Sequence, residues 1–231
     1  MQPILTPALI LDAYRQGLFP MAYDAHSPFI HWVCPDIRGQ LSIKNLHVSR
    51  RLIKTLKNKP YEITINRAFG DVIEGCAAPV RNRPETWIND PIKKVFCALH
   101  FAGAAHSVEC WDNGILIGGI YGLAIGGAFF GESMFSRATD ASKIALVNLT
   151  ARLWRGGFQL FDTQFINDHL KQFGAFEIPH AVYKKILTEA INIEADFSID
   201  GQSQDEILYD YLGFLRVRTA AAQTNPIKPI Q

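Results

Sequence analysis

Residues 118–137 read GGIYGLAIGGAFFGESMFSR. The stretch is small and apolar for most of its length. It then places Glu132, Ser133 and Met134 inside an aromatic run that Arg137 closes. Burying a carboxylate without a partner is costly, so an acid in such a setting has either a structural partner or a chemical task. Gly126-Gly127 divides the stretch into two strands joined by a turn. Alternation along the second strand predicts Ala128, Phe130, Glu132 and Met134 on one face, with Phe129, Gly131, Ser133 and Phe135 on the other.

The flanking sequence extends this pair of strands into a sheet. Upstream, HSVECW alternates moderately, and Asp112-Asn113-Gly114 is a hairpin turn leading into ILIGGIYGLAI. Downstream, Asp140 is a predicted helix cap. Ile144, Val147, Ala151 and Trp154 recur at helical spacing, and Gly156-Gly157 ends the helix. FQLFDTQF then reads as a strand. Three antiparallel strands, a crossover helix and a further strand favour a parallel pair, so the predicted core is α+β with a mixed sheet.

In that last strand Asp162 and Gln164 are two residues apart and share a predicted face. With Glu132 and Met134 they describe a pocket with apolar walls and a few directional polar groups, suited to a ligand with a greasy side chain and a polar or charged head. Equally, the two acids suit a structural role, held by backbone amides or by Arg137.

Two other regions are informative. Residues 7–17 suit a short helix ended by Gly17. From Leu41 to Tyr61 there is no acid, yet there are six cations. Ser49 is a predicted N-cap for a helix of about ten residues, with Leu52, Ile53 and Leu56 on its apolar side. Arg50, Lys54 and Lys57 form one stripe, with Arg51 beside it. The stripe is either a solvated face or a phosphate-binding surface, and the missing acids favour the second. Trp87, in the polar loop RNRPETWIND, is a plug or a stacking surface. The final stretch, VRTAAAQTNPIKPIQ, lacks periodicity and is expected to be a loose tail.

The totals narrow the class. The chain has 231 residues, 48% hydrophobic and 19% charged, with net charge +1. That is globular, and any nucleic-acid surface must be local. No apolar run approaches the roughly 20 residues of a membrane-spanning helix, and the N-terminus lacks the basic start of a signal peptide, so a cytoplasmic protein is expected. The four cysteines lack metal-ligand spacing. Nucleophile-elbow, phosphate-loop and His-Glu-x-x-His patterns are missing.

The blocks AYRQGLFPMA, HWVCPDIRG, FGDVIEGCA, TWI, LHFAGAAHSVECW, GGIYGLAIGGAFFGESMFSR, DASKIAL and FDTQFINDHLKQFGAFEIPH occur in this order. Together they resemble the leucyl/phenylalanyl-tRNA–protein transferase family over roughly residues 8–185. The resemblance implies a small N-terminal domain and a C-terminal domain of acetyltransferase-like fold. The corresponding division here is 1–60, 61–190 and a partly disordered extension over 191–231. It also implies transfer of leucine or phenylalanine from aminoacyl-tRNA to proteins beginning with Arg or Lys, marking them for degradation. No metal or coenzyme is implied, and a monomer is expected.

Carried over by motif, the resemblance puts Asp162 and Gln164 at the chemistry. It puts Phe130, Glu132, Ser133 and Met134 at the aminoacyl group, with Trp32 and Trp87 near the cleft. Arg50, Arg51, Lys54 and Lys57 fall where the family binds tRNA. Gln164 would orient the reacting groups, and Asp162 would polarise it or help drain a proton. The chain departs from many relatives at His31, where they have tryptophan, and at Phe96, where tyrosine is frequent. Two other classes compete: a coenzyme-A-dependent acetyltransferase, and a non-catalytic RNA-binding module.

Overall fold

The computed structural model describes residues 5–80 and 85–224. Helix α1 (Pro7–Arg15) is capped by the Thr6 hydroxyl, which accepts from Leu9 N. Strands β1 (Phe19–Ala22) and β2 (Ile30–Val33) pair with each other as a separate hairpin. Then follow β3 (Ile37–Leu41), α2 (Arg50–Asn58), β4 (Glu62–Ile65), α3 (Phe69–Ala77) and α4 (Asp90–Phe101). The predicted three-strand run is β5 (Ala105–Asp112), β6 (Ile115–Ile125) and β7 (Ala128–Ser136). Its first turn has Asn113 and Gly114 both at positive φ, as a two-residue hairpin requires. The chain continues through α5 (Ala141–Arg155), β8 (Leu160–Gln164), α6 (Asp168–Lys171), β9 (Phe176–Pro179), α7 (His180–Ala190) and α8 (Gln204–Thr224).

The fold is α+β. Seven strands form one mixed sheet in the order β4-β5-β6-β7-β8-β3-β9. The β7–β8 pair, joined through α5, is parallel, and the other described pairs are antiparallel. Two apolar cores sandwich the sheet. One holds α1, the β1 hairpin, α3, α4 and α7, with Tyr14, Phe96, Tyr121 and Phe130 at its centre. The other holds α2, α5 and α8, with Phe129, Phe158, Phe161 and Tyr211. Small N-terminal elements thus lie against one face of a larger C-terminal body.

Three local expectations change. The predicted strand faces fail at mid-length. Tyr121 pairs with Ser133 and Gly122 with Gly131, so Glu132 is an extra residue, a β-bulge in β7. Beyond the bulge the alternation inverts. Phe130 packs in the first core, whereas Met134 packs in the second, together with Phe129. Asp140 does stand before α5, but at φ +61 and with no capping hydrogen bond from its side chain. Its carboxylate instead pairs with Arg51 at 2.9 Å and Lys143 at 3.3 Å, while Ser136 Oγ accepts from Ser142 N. Finally, α8 runs on through Val217 to Thr224, into the expected tail. Ile207, Leu208 and Tyr211 seat it on the second core, and the alanine-rich end has high helix propensity. The remainder of that expected tail lies outside the described residues.

Candidate active site

Strands β7 and β8 begin as neighbours and then part. Their parallel ladder runs Ala128–Leu160, Phe129–Phe161 and Phe130–Asp162, and stops there. Immediately beyond, β7 carries the bulge at Glu132. Strand β8 carries a second: Gln40 pairs with Asp162 and Gly39 with Gln164, which leaves Thr163 as the extra residue. Bulges bend strands and re-aim side chains, and two of them flank this opening.

A cavity of about 290 Å³ occupies the gap. It reaches both sides of the sheet. On the α5 side Met134, Leu146, Phe161 and Leu170 make it apolar. On the hairpin side it meets Phe19, Met21, Trp87 and Phe165. Between these ends, where the strands separate, stand Glu132, Ser133, Thr163 and Gln164.

The polar groups form one connected set. Glu132 Oε1 accepts from Tyr14 Oη at 2.8 Å and from Gln164 Nε2 at 3.2 Å. Burial pushes the Glu132 carboxyl from its ordinary 4.5 up to about 8. The Tyr14 hydrogen bond opposes this shift, and the nearby Asp162 charge adds to it. Tyr14 is fully buried in α1 and packs edge-on against Phe130, with ring centroids 5.0 Å apart. Burial, and then the neighbouring Glu132, raise its phenol well above the ordinary range.

Gln164 has φ +54, a left-handed backbone that a non-glycine residue adopts only when its surroundings impose it. Asp162 supplies part of that constraint, since its Oδ1 accepts from Gln164 N at 2.9 Å. The same carboxylate takes Arg38 Nε at 3.0 Å, Arg38 Nη2 at 2.7 Å and Tyr183 Oη at 2.8 Å. Arg38 is fully buried, lies over the rings of Phe19 and Tyr183, and donates its Nη1 to Gly17 O. Burial disfavours its charge, but Asp162 outweighs that and holds its pKa above the ordinary value. The Arg38–Asp162 pair therefore ties the α1–β1 connection, β3, β8 and α7 together.

Of the residues singled out from sequence, Glu132, Ser133, Met134, Trp87 and Gln164 line the cavity. Asp162 does not: it is wholly buried behind the strand, and its partner is Arg38 rather than Arg137. Phe130 also lies behind the wall, under Tyr14. Trp32, in β2, packs on the first core away from the cavity lining. His31 packs against the Tyr23 ring at a tilt, and Phe96 is buried edge-on to Tyr121. Tyr14, Arg38, Thr163 and Tyr183 were missed. The available signal for Arg38 was a single cation within a run of aromatic and proline residues.

Helix α2 is separate from the cavity but linked to it. Ser49 Oγ accepts from Leu52 N as predicted, and Leu52 and Leu56 are buried. Arg50, Arg51, Lys54 and Lys57 are exposed. Among the described residues Arg50, Lys54 and Lys57 have no ion pair, whereas Arg51 binds Asp140 at the start of α5. Leu146, a wall of the cavity, lies six residues further along, roughly 9 Å of helix axis.

A mixed sheet parted between its two parallel strands, with an acid, an amide and hydroxyls at an opening that leads to an apolar chamber, defines an α+β protein with a site for a ligand that has an apolar side chain and a polar head. A family model described as leucyl/phenylalanyl-tRNA protein transferase matches residues 40–188, and one for the N-terminal domain of that protein matches residues 4–36. A leucyl/phenylalanyl-tRNA–protein transferase of Rhodopseudomonas palustris (strain TIE-1) is 50% identical over 194 residues, covering 84% of this chain and 86% of its own. The Rhodospirillum rubrum protein of the same name is 50% identical over 196 residues, covering 85% and 92%. That of Hyphomonas neptunium is 50% identical over 202 residues, covering 87% and 78%. The chain belongs to the leucyl/phenylalanyl-tRNA–protein transferase family, and it is an enzyme.

Proposed function

We propose that this enzyme transfers leucine or phenylalanine from aminoacyl-tRNA to the α-amino group of proteins that begin with Arg or Lys, marking them for degradation. It would act in the cytoplasm, as a monomer, without metal or coenzyme. The observation that carries the reading is the two-ended cavity. An apolar side chain fits the α5 end, and an ester fits beside Glu132 and Gln164. The nucleoside fits the aromatic end around Trp87. The cation stripe on α2 supplies phosphate contacts for the body of the tRNA.

The reaction is aminolysis of an activated ester, so holding the reactants in line can supply much of the rate. Gln164 is the group that orients the reacting atoms. Glu132 binds the α-amino group of the aminoacyl moiety and, with its carboxyl at about 8, can exchange a proton near neutral pH. Asp162 becomes a positioning residue: it fixes the Gln164 backbone and is itself fixed by Arg38.

The coenzyme-A alternative is disfavoured at the start of α5. A pyrophosphate would need the free N–H groups there, yet Asp140 brings an acid to that end and Ser136 Oγ already accepts from Ser142 N. A purely RNA-binding module would leave the connected Tyr14–Glu132–Gln164 set without a task. Purified protein mixed with leucyl-tRNA labelled in leucine and a peptide starting with arginine should label the peptide. Acetylation of that peptide from acetyl-CoA, or binding of tRNA with no transfer, would reject the proposal.

A further inference from the structure

The two oxygens of the Glu132 carboxyl are held unequally. Tyr14 Oη at 2.8 Å and Gln164 Nε2 at 3.2 Å both donate to Oε1. Among the described residues Oε2 receives no hydrogen bond, although Glu132 is half-buried and lines the cavity. One oxygen is thus tethered to the protein and the other is left for a ligand.

The bulge makes a tether necessary. Tyr121 pairs with Ser133 and Gly122 with Gly131, so Glu132 has no partner of its own in β6. A residue outside the ladder is not aimed by the regular alternation of the strand. Glutamate is also a flexible side chain, and ordering it costs entropy that its contacts must offset. Tyr14 supplies such a contact from 118 positions away in sequence. Its ring is fully buried in the first core and edge-on to Phe130, two residues before Glu132. The hydroxyl therefore sits on a fixed mount. Its phenol is held well above the ordinary range, so it keeps its proton and remains a donor. Packing alone would be served by phenylalanine, which would spare the cost of burying a hydroxyl.

We propose that Tyr14 is a positioning residue for the transfer reaction: by holding Oε1 it turns Glu132 Oε2 toward the cavity, where that oxygen takes the α-amino group of the aminoacyl ester. The assignment rests on the aminoacyl-transfer reading above. Tyr14 does not line the cavity, and no bond is made or broken through it. Helix α1 thereby completes a site whose acid and amide come from β7 and β8.

Tyr14→Phe keeps the ring and removes the hydroxyl. Single-turnover transfer to a peptide starting with arginine, at sub-saturating leucyl-tRNA, should fall by about 10-fold. With tRNA charged instead with the α-hydroxy analogue of leucine, which has no ammonium for Glu132 to hold, parent and variant should agree within about 2-fold. Comparing two substrates on one variant cancels any loss of folded protein. In a Glu132→Ala background, adding Tyr14→Phe should change leucine transfer by less than about 2-fold, because the group it positions is gone. Equal losses with both substrates, or a Tyr14→Phe effect that multiplies with Glu132→Ala, would overturn the assignment and leave the hydroxyl a structural one. Parent-level leucine transfer by Tyr14→Phe would overturn it too. A parent protein that transfers from neither leucyl- nor phenylalanyl-tRNA would overturn the underlying reading as well.

Discussion

Helix α2 and the gap between β7 and β8 both concentrate polar groups, in opposite ways. On α2 the cations Arg50, Lys54 and Lys57 stand in solvent on a helix anchored by Leu52 and Leu56. Each acts through water, is screened by salt and contributes almost independently. In the gap, Glu132, Asp162, Gln164, Arg38 and Tyr14 are tied by hydrogen bonds in and behind the cavity wall. There a change at one group alters the task of the others. One region can be trimmed residue by residue, and the other behaves as a unit.

The sharpest break between them should come at Arg38. Arg38→Met leaves the Asp162 carboxylate buried without its cation, which typically costs about 3–5 kcal/mol. For a chain of this size that is a fall of roughly 10 °C in Tm. Arg38→Lys should rescue little, because it cannot offer the two-pronged contact. Pairing Arg38→Met with Asp162→Leu should restore much of the Tm but not the activity, since Gln164 N loses its acceptor. Thermal unfolding of the three variants checks this. Recovery of activity in the double variant would show that the ion pair does nothing to position Gln164.

The pH dependence of stability should differ next. Folding raises the Glu132 carboxyl from 4.5 to about 8, so the folded state holds the proton more tightly than the unfolded chain. That contribution is complete below about 4.5, declines as pH rises toward about 8 and is gone above it. Glu132→Gln abolishes the titration. The variant should match the parent near pH 4.5 and exceed it by up to about 4 kcal/mol at pH 9. A constant Tm difference between variant and parent across that range would mean that Glu132 is not held in the shifted state.

On α2 the expected effects are smaller and additive. Alanine at Arg50, Lys54 and Lys57 should leave stability within about 0.5 kcal/mol. It should weaken tRNA binding and lower the salt slope by about one unit for each phosphate no longer neutralised. Binding isotherms from low to moderate salt measure this. An unchanged slope would reduce the stripe to a solvated face.

The same contrast explains what the sequence disclosed. The α2 cap, its apolar side and its cations are local features, and all appear where spacing puts them. So do the three-strand run, the Asn113-Gly114 turn and the crossover through α5, because each rests on short-range periodicity and turn chemistry. The polar residue types of the site were also legible, since an acid in an apolar strand invites a question. Their arrangement was not. A bulge depends on the register of a neighbouring strand, so strict alternation put Phe130 and Met134 on one face when the Glu132 bulge separates them. Asp162 looked like a cavity acid because its partner, Arg38, lies 124 positions away in sequence. Thr163 was passed over because an ordinary threonine in a strand carries no signal until the register with β3 shows it as the extra residue of a bulge.

The central claim is that Glu132 and Gln164, joined at 3.2 Å across the parted strands, work as one catalytic unit. A double-mutant cycle with Glu132→Gln and Gln164→Ala, read as single-turnover leucine transfer by proteins shown to be folded, tests it most directly. Each single change should slow transfer by about 100-fold or more, and the double variant should be at most a few-fold slower than either. Multiplying effects, or near-parental transfer by folded Gln164→Ala, would contradict the account.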